Sequence, residues 1–570
     1  MPTQPRGQLD RRYVPGDGWE ARVPRILSWI CYGVAALSFI TALIPGTRRP
    51  LGWLRGAVDL FFLAAPPNLA WAVLMVILAS ALGKRKRAAW GLLLVLECGE
   101  FALLIAAWAF FPSAYPTILT PLAIDATVIG LLLLCRREFF AISQKGNGWR
   151  AILTFFVGMI VTVSVGTAMI SVFADDSLRP QRISYAASQF LGVLGQDPGY
   201  QEVLEPPREI NFTLSLLAAI TFIATAYVFF RSRRKDLLLS ADDEVAIRSL
   251  LKEYGERDSL GYFATRRDKS ADWSPTGRAV VTYRVVFGVS LASADPVGDP
   301  EAWASAIEVW LEEAHRHAWA PAVMGASLQG AEAYQRAGLG AVALGDEAIL
   351  RFRDFQLDGR HMRVVRQAVN RIERAGYTAK VRRHAEIPED EMDSAIADAD
   401  RWRDTDNERG FSMALGRLGD PLDGRCVLVE AFDSEGNREA LLSFSPWGEK
   451  GLSLDLMRRS RDSDNGVMEF MVASLVAAGP SIGADKVSLN FAVMRGIFAE
   501  GERIGAGPII RATRGFLVFA SRWFQLESLY RSNAKYDPDW VPRYLMFENT
   551  GDLPRVGIAS AAAEGFMTIP

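Results

Sequence analysis

Cysteine is scarce. The 570 residues hold four, Cys31, Cys98, Cys135 and Cys426, widely spaced and with the first three inside apolar runs. That excludes a disulfide scaffold and a cysteine-rich zinc module. Histidine is equally rare, at His315, His317, His361 and His384, and none falls in an H-E-x-x-H or similar cluster, so no metal centre is expected. Charge of one sign is not in excess: 63 Lys+Arg face 65 Asp+Glu, a net charge of −2. A chain basic throughout is excluded, though local basic patches are not. There is no G-x-x-x-x-G-K-[ST], no kinase signature and no H-I-G-H or K-M-S-K-S pair. Activation of a substrate with ATP by those routes is therefore excluded, no cofactor is expected, and any group the protein transfers arrives already activated. The first 25 residues are polar and Arg-rich, so a cleavable signal peptide is not expected either.

What is abundant is apolar surface. Half the residues are hydrophobic and the mean hydropathy is +0.11. The apolar runs crowd the first 230 residues and read as six spans, 26–44, 58–82, 88–111, 117–135, 151–173 and 210–230. Each is near the roughly 20 residues that cross a bilayer. Pro66-Pro67 in the second interrupts a helical ladder, which suggests a broken or re-entrant segment. Lys/Arg asymmetry puts Arg6 to Arg25, Lys84 to Arg87, Arg136 to Arg150 and Arg231 to Lys235 inside, with Arg48, Arg49 and Arg55 as a mild contradiction. An even span count then leaves the N-terminus and everything after residue 235 in the cytoplasm. Glu97, Glu100 and Asp125 fall within spans. Ionisable groups there are costly unless paired or wet. Glu97 and Glu100, three apart on one helix face, are candidates for a lipid-headgroup or ion site; the alternative is interhelical hydrogen bonding or a snorkelling position.

Composition changes at Ser240 to mixed α/β material. Residues 241–254 read as an amphipathic helix, 280–291 as strand, 300–317 as a helix with Trp303, Ile307, Trp310 and Ala314 on one face, and 319–324 as strand. A second pass of the same grammar starts near Leu357: a basic helix over 360–375, an acidic one over 388–402, strands at 426–432, 440–445 and 452–456, a helix over 466–479 and a strand over 486–492. The organisation expected is an N-terminal arm (1–25), a six-span bundle (26–235), two α/β lobes (240–356 and 357–550) and a C-terminal tail (551–570).

Gln335 to Ala341 matches the Q/R-x-x-G-x-G/A loop that cradles a coenzyme pyrophosphate. Such a loop should follow a strand and open a helix; this one closes a helix, so Gly338 reads as its C-cap. Between Arg360 and Arg383 lie Arg360, His361, Arg363, Arg366, Arg371, Arg374, Lys380, Arg382 and Arg383. Several recur at helical spacings and form a cationic stripe suited to phosphate. A solvated helix face, or one lying on anionic lipid, fits the pattern equally.

An ordered set of motifs then stands out: Lys252-Glu-Tyr-Gly255, Ser259-Leu-x-Tyr262-Phe263, Asp268-Lys269, Asp295-Pro-Val-Gly-Asp299, Gly345-Asp346-Glu347-Ala348, Arg366-Gln-x-x-Asn370-Arg371, Glu408-x-Gly410-Phe411-Ser412-Met413-x-x-Gly416-Arg417, Leu454-Asp455-Leu-Met-Arg458 and Lys535-Tyr536-x-Pro538-x-Trp540-x-Pro542-Arg543-Tyr544. Together, over about 240–550, they resemble the aminoacyl-phosphatidylglycerol synthases, the multiple peptide resistance factor family. The resemblance implies two tandem acetyltransferase-like (GNAT) lobes after the six-span bundle. It implies transfer of an amino acid, lysyl first and alanyl second, from aminoacyl-tRNA to the glycerol hydroxyl of phosphatidylglycerol in the cell membrane. The longest members carry many more spans, including a flippase part, and some actinobacterial members fuse a lysyl-tRNA synthetase that these residues do not include.

Acyl transfer between two esters is near thermoneutral. It requires a lipid hydroxyl positioned against the tRNA ester, a grip on the α-ammonium, and a stabilised oxyanion. Asp455 and Arg458 match the family's D-L-M-R pair, and Glu469 falls where the family has a helical acid. In a regular strand Leu452, Leu454 and Leu456 face the core, while Ser453 and Asp455 face away; Asp455 then holds the ammonium and Arg458 a phosphate or the oxyanion. A structural Asp–Arg pair is the alternative. Lys535 and Arg543 join Arg360, Arg363, Arg366, Arg371 and Arg374 as tRNA or lipid-phosphate contacts. The expected partners are aminoacyl-tRNA and phosphatidylglycerol, with self-association open. Two other classes stay open: a lipid or solute carrier with a regulatory cytoplasmic domain, and tRNA-dependent transfer to a peptidoglycan precursor or another lipid.

Overall fold

The computed structural model describes residues 19–44, 69–110, 115–141, 147–173, 182–192, 208–230, 238–403, 410–493 and 532–565. Pro66-Pro67, Arg231 to Lys235 and Glu408 lie outside them. The chain forms two compact units that divide at Arg234/Lys235.

The first unit is helical: α1 (Val23–Leu43), α2 (Leu69–Gly83), α3 (Arg87–Phe110), α4 (Tyr115–Leu134), α5 (Asn147–Phe173), α6 (Arg182–Gly192) and α7 (Arg208–Phe230). Among the described residues four helices are long and apolar enough to cross a membrane: α1, α3, α5 and α7. The expected second and fourth spans correspond to shorter apolar helices, Trp71–Gly83 and Leu119–Leu134. The first of these is described only from Leu69, and α4 carries Pro121 in its interior. Small residues let helices approach closely. A Cβ on Gly158 of α5 would sit 2.3 Å from Thr221 of α7, and one on Gly166 would sit 2.6 Å from Leu214. Two of the basic segments meet at one end of the bundle, where Arg87 N–H donates to Ala141 O (3.0 Å) and Ala141 N–H to Arg85 O (3.0 Å). Arg85 pairs with Glu138 and Lys86 donates to Phe230 O.

Among its described residues the second unit is a twelve-stranded sheet with helices on both faces. Its strands are β1 (Ser270–Trp273), β2 (Ala279–Val286), β3 (Val289–Ser293), β4 (Val297–Gly298), β5 (Ala320–Ala326), β6 (Gly340–Arg351), β7 (Thr378–Arg383), β8 (Val427–Phe432), β9 (Arg438–Trp447), β10 (Gly451–Arg459), β11 (Lys486–Val493) and β12 (Asp539–Phe547). The order is β1-β2-β3-β5-β12-β6-β11-β10-β9-β8-β7, with β4 also on β2. The described α-helices longer than one turn are α8 (Ala241–Tyr254), α9 (Trp303–Arg316), α10 (Leu328–Arg336), α11 (Arg363–Arg374), α12 (Glu389–Arg401), α13 (Val467–Ala477) and α14 (Leu553–Ala563). Ser240 caps α8, accepting from Asp243 N–H at 3.1 Å. Gly338, at φ +96°, follows α10 and precedes β6, so that segment closes a helix rather than opening one.

Three features depart from two lobes laid end to end. The late strand β12 inserts between β5 and β6, antiparallel to both. The residues read as a tail form α14, whose Val556, Ala559, Ala562 and Ala563 pack with Ile247 and Leu251 of α8 and with β2, β3 and β5. The alternation of β10 also breaks. Leu452 and Leu454 pack with α11 and α13, but Leu456 packs with Leu428, Leu441 and α12 on the opposite face. The cause is a β-bulge between Leu454 and Leu456, which makes Asp455 the extra residue in the pairing of β10 with β9.

Candidate functional site

β10 and β11 run parallel for only three residue pairs, Gly451–Lys486 to Ser453–Ser488. Beyond Ser453 they part, and Asn490 of β11, at φ +66°, spans the gap by donating from Nδ2 to Leu454 O at 2.8 Å. β11 itself slips register against β6 between Ser488 and Phe491. Both strands are thus irregular where they diverge, and Asp455 is the extra residue at that point. Its Oδ1 accepts the Leu415 N–H at 2.6 Å, which ties the bulge to the 410–417 loop. Arg458 donates to Met457 O at 3.0 Å.

Beside the gap is a cavity of about 390 Å³. Its lining includes Leu454, Met457 and Arg459 of β10, Arg371 of α11, Glu469 of α13 and Lys535. Glu469 and Lys535 form an ion pair at 2.7 Å, and Lys535 Nζ lies 5.0 Å from the Tyr536 ring centroid. Arg371 donates to Asn465 O, just before α13. Gly466, at φ +108°, starts α13; a Cβ there would meet Ala368 and Arg371 at 3.0 Å, so glycine is what lets α13 begin against α11. The result is a pocket with three cations, one acid and an apolar wall.

The structure gathers Arg371, Glu469 and Lys535 from the expected set into this cavity, with Asp455 and Arg458 on the strand that forms its wall. Arg360, Arg363 and Arg374 are exposed on or before α11, and Arg374 donates to Asn370 O of its own helix at 2.9 Å. Arg366 is spent on Leu357 O at 2.6 Å. The rest of the cationic run is neutralised along β7: Arg382 pairs with Glu391 (2.8 Å) and Glu430 (2.6 Å), Lys380 lies 3.8 Å from Glu391, and Arg383 donates to Arg425 O.

Arg543 needs correction as a phosphate contact. It is 3% exposed and bonds Asp258 (2.8 Å), Glu347 (2.6 Å), Ser259 (2.6 Å) and Gly325 O (3.2 Å). β12 carries it into the sheet between β5 and β6, where its charge is consumed by two buried carboxylates.

In the membrane-type unit Glu97 and Asp125 are buried, and Glu97 Oε2 and Asp125 Oδ2 have no hydrogen-bond partner; Glu100 is half-buried. Among the described residues no group of three or more potential metal ligands occurs.

Sequence reasoning missed Arg459, Asn465 and Asn533 in the cavity, and it missed the loop architecture around Asp455. Arg266 donates to Gly410 O and Ala414 O while pairing with Asp268 at 2.9 Å. Burial opposes ionisation of Asp268, but the Arg266 guanidinium wins and holds its carboxyl down to about 2. Lys269 is fully buried, with its Nζ 4.6 Å from the Phe411 ring centroid. Burial pushes it down to about 7, and Arg266 adds to the shift.

Comparison with known proteins adds three findings. A family model described as "Phosphatidylglycerol lysyltransferase, C-terminal" matches residues 248–547, and one described as "Transmembrane region of lysyl-tRNA synthetase" matches residues 19–230. The chain is 46% identical over 575 residues to the lysylphosphatidylglycerol biosynthesis bifunctional protein LysX of Rhodococcus jostii, covering 100% of this chain and 51% of that protein. It is 47% identical over 552 residues to the protein of the same name from Mycobacterium tuberculosis, covering 96% and 47%. The chain thus spans about half the length of the relatives it matches. Among solved structures, L-PGS from Bacillus licheniformis aligns at a TM-score of 0.49 and 21% identity, over 58% of this chain and 99% of that one.

Proposed function

Because the chain belongs to the phosphatidylglycerol lysyltransferase C-terminal family, we propose that it is a membrane enzyme moving an aminoacyl group, lysyl first and alanyl second, from aminoacyl-tRNA to the glycerol hydroxyl of phosphatidylglycerol. Its second unit is read as two acetyltransferase-like halves sharing one sheet, and the first as the six-span bundle that holds it at the cytoplasmic face. The observation that carries this reading is the convergence of Arg371, Glu469 and Lys535 in one cavity beside the bulge at Asp455.

In the reaction the glycerol hydroxyl attacks the ester carbonyl of the aminoacyl-tRNA. A tetrahedral oxyanion forms, the C–O bond to the tRNA ribose breaks, and the proton lost by the glycerol hydroxyl is balanced by the one the ribose oxygen gains. Asp455, oriented by the Leu415 N–H, holds the α-ammonium. Arg458 stabilises the oxyanion or a neighbouring phosphate. The cavity's cations take a phosphate of the lipid or of the tRNA acceptor end, and the Glu469–Lys535 pair keeps Lys535 aimed into it. The exposed Arg360, Arg363 and Arg374 extend the anion-binding surface along α11. Glu97 and Glu100 remain candidates for a lipid-headgroup contact within the bundle.

The test is transfer in membranes containing the full chain, phosphatidylglycerol and charged tRNA. A new ninhydrin-positive phospholipid that RNase abolishes is the expected result. Robust transfer from free amino acid and ATP without tRNA or its synthetase would sink the reading. An unchanged lipid profile with altered peptidoglycan bridges would move the acceptor to a cell-wall precursor.

A further inference from the structure

We infer that Glu564, at the end of α14, is a positioning residue for acyl transfer: it clamps the loop whose far end orients Asp455. The inference rests on the site proposed above. Glu564 is 4% exposed and its carboxylate accepts three hydrogen bonds from two adjacent loop residues: Phe411 N–H at 2.7 Å, Ser412 N–H at 3.0 Å and Ser412 Oγ–H at 2.6 Å. Its own carbonyl accepts Gly410 N–H at 3.2 Å. Three residues beyond Ser412, Leu415 N–H reaches Asp455 at 2.6 Å. The two carboxylates therefore grip opposite ends of one short segment.

The segment is held rigidly between those grips. Gly410 stands at φ +108° and a Cβ on it would lie 2.7 Å from Ala414, so the turn closes only on glycine. Arg266 donates to both Gly410 O and Ala414 O and fixes the turn from the other side. Phe411 is fully buried in the core that α14 also enters. Just past the turn, Arg417 donates to Thr265 O at 2.8 Å and to Asp423 at 2.7 Å. A carboxylate that accepts three N–H or O–H donors is a strong, charge-assisted anchor. Without it, those donors sit buried and unmatched, and the loop is free to shift the amide that orients Asp455. Sub-ångström displacement at an acyl-transfer site is enough to lower the rate.

The test uses the full chain in lipid with lysyl-tRNA. Glu564→Gln keeps the shape and one acceptor but removes the charge. It is expected to lower kcat about 10- to 100-fold with KM for lysyl-tRNA unchanged, and to speed hydrogen exchange of the 411–415 amides. Glu564→Asp, which keeps the charge, is expected to recover part of the rate, and it also serves if the Gln variant fails to fold. Val556→Ala, on the buried side of the same helix, is the structural control: it should lower Tm while leaving kcat per folded molecule intact. Wild-type kcat in Glu564→Gln, or a loss that follows only the folded fraction as in Val556→Ala, overturns the inference. Full activity in Asp455→Asn is a separate result; it removes the site assignment itself.

Discussion

Asp455 owes its direction to one extra residue in β10. Had the strand run regularly, Asp455 would lie on the face opposite Leu454 and Leu456 alike; with the bulge, Leu456 crosses to the α12 side and the carboxylate meets the Leu415 amide. If it holds the α-ammonium, Asp455→Asn keeps the shape and loses the charge, and the rate should fall about 10²–10³-fold at unchanged Tm. Arg458→Lys keeps the charge but loses the planar fork and should also be impaired. Aminoacyl-lipid formed per folded molecule, read with Tm on the same preparation, is the deciding measurement: a structural pair would lower Tm and leave the folded fraction active. His384 poses a different residue-level question. It is 8% exposed, and burial pushes its imidazole down to about 4 despite Asp423 nearby. A base whose folded pKa is depressed binds fewer protons folded than unfolded between about 4 and 6.5, so stability must fall on acidification through that window. The loss reaches roughly 3 kcal/mol below it. His384→Gln should flatten the dependence between pH 6.5 and 4, seen as Tm against pH; an equal slope in the variant would refute the assignment.

At the level of elements, α11 shows how far composition reads through to structure. Its inward residues, Val365, Ala368, Val369 and Ile372, are buried, and its outward arginines are where helical spacing puts them. What spacing could not reveal is which cations are already spent. Arg382 and Arg383 face partners across β7, Arg366 closes the turn at Leu357, and only Arg371 reaches the cavity. These outcomes depend on strands far away in sequence. The exposed arginines should bind phosphate independently of the chemistry. Arg363→Ala with Arg374→Ala should weaken tRNA binding and flatten its dependence on salt, by about one unit of log–log slope for each phosphate left without its arginine. Binding measured from 50 to 200 mM salt checks it; an unchanged slope would return α11 to the role of a solvated face. The α14 helix was equally legible and equally easy to misread. Pro554 inside its first turn, apolar residues at 556, 559 and 563 and Gly565 after it are ordinary helix signals, but only the packing shows that the segment completes a core rather than trailing from it.

For the whole molecule, the division at Arg234/Lys235 follows the change in composition because hydropathy is a local property that the chain carries openly. Strand order is not local. β12 lies about 190 residues from β6, its antiparallel neighbour, and nothing in its own sequence names that neighbour; this is why Arg543 read as a surface cation and is a buried one. Orientation belongs to this scale too, because the proposed reaction needs the second unit on the side that holds tRNA. The segments that carry the lysines and arginines at 84–87 and 136–137 meet at one end of the bundle, the end that the proposed orientation puts in the cytoplasm on positive-inside grounds. On that proposal, and with the even number of crossings it assumes, the N-terminus and the segment after residue 235 share that side. A reporter fused just after residue 235 should read cytoplasmic, as should one fused to the N-terminus. If the two disagree, the crossing number is odd and the shorter helices α2 and α4 must be recounted. If both read external, the second unit is cut off from tRNA and transfer from aminoacyl-tRNA is untenable, however well the cavity suits a phosphate.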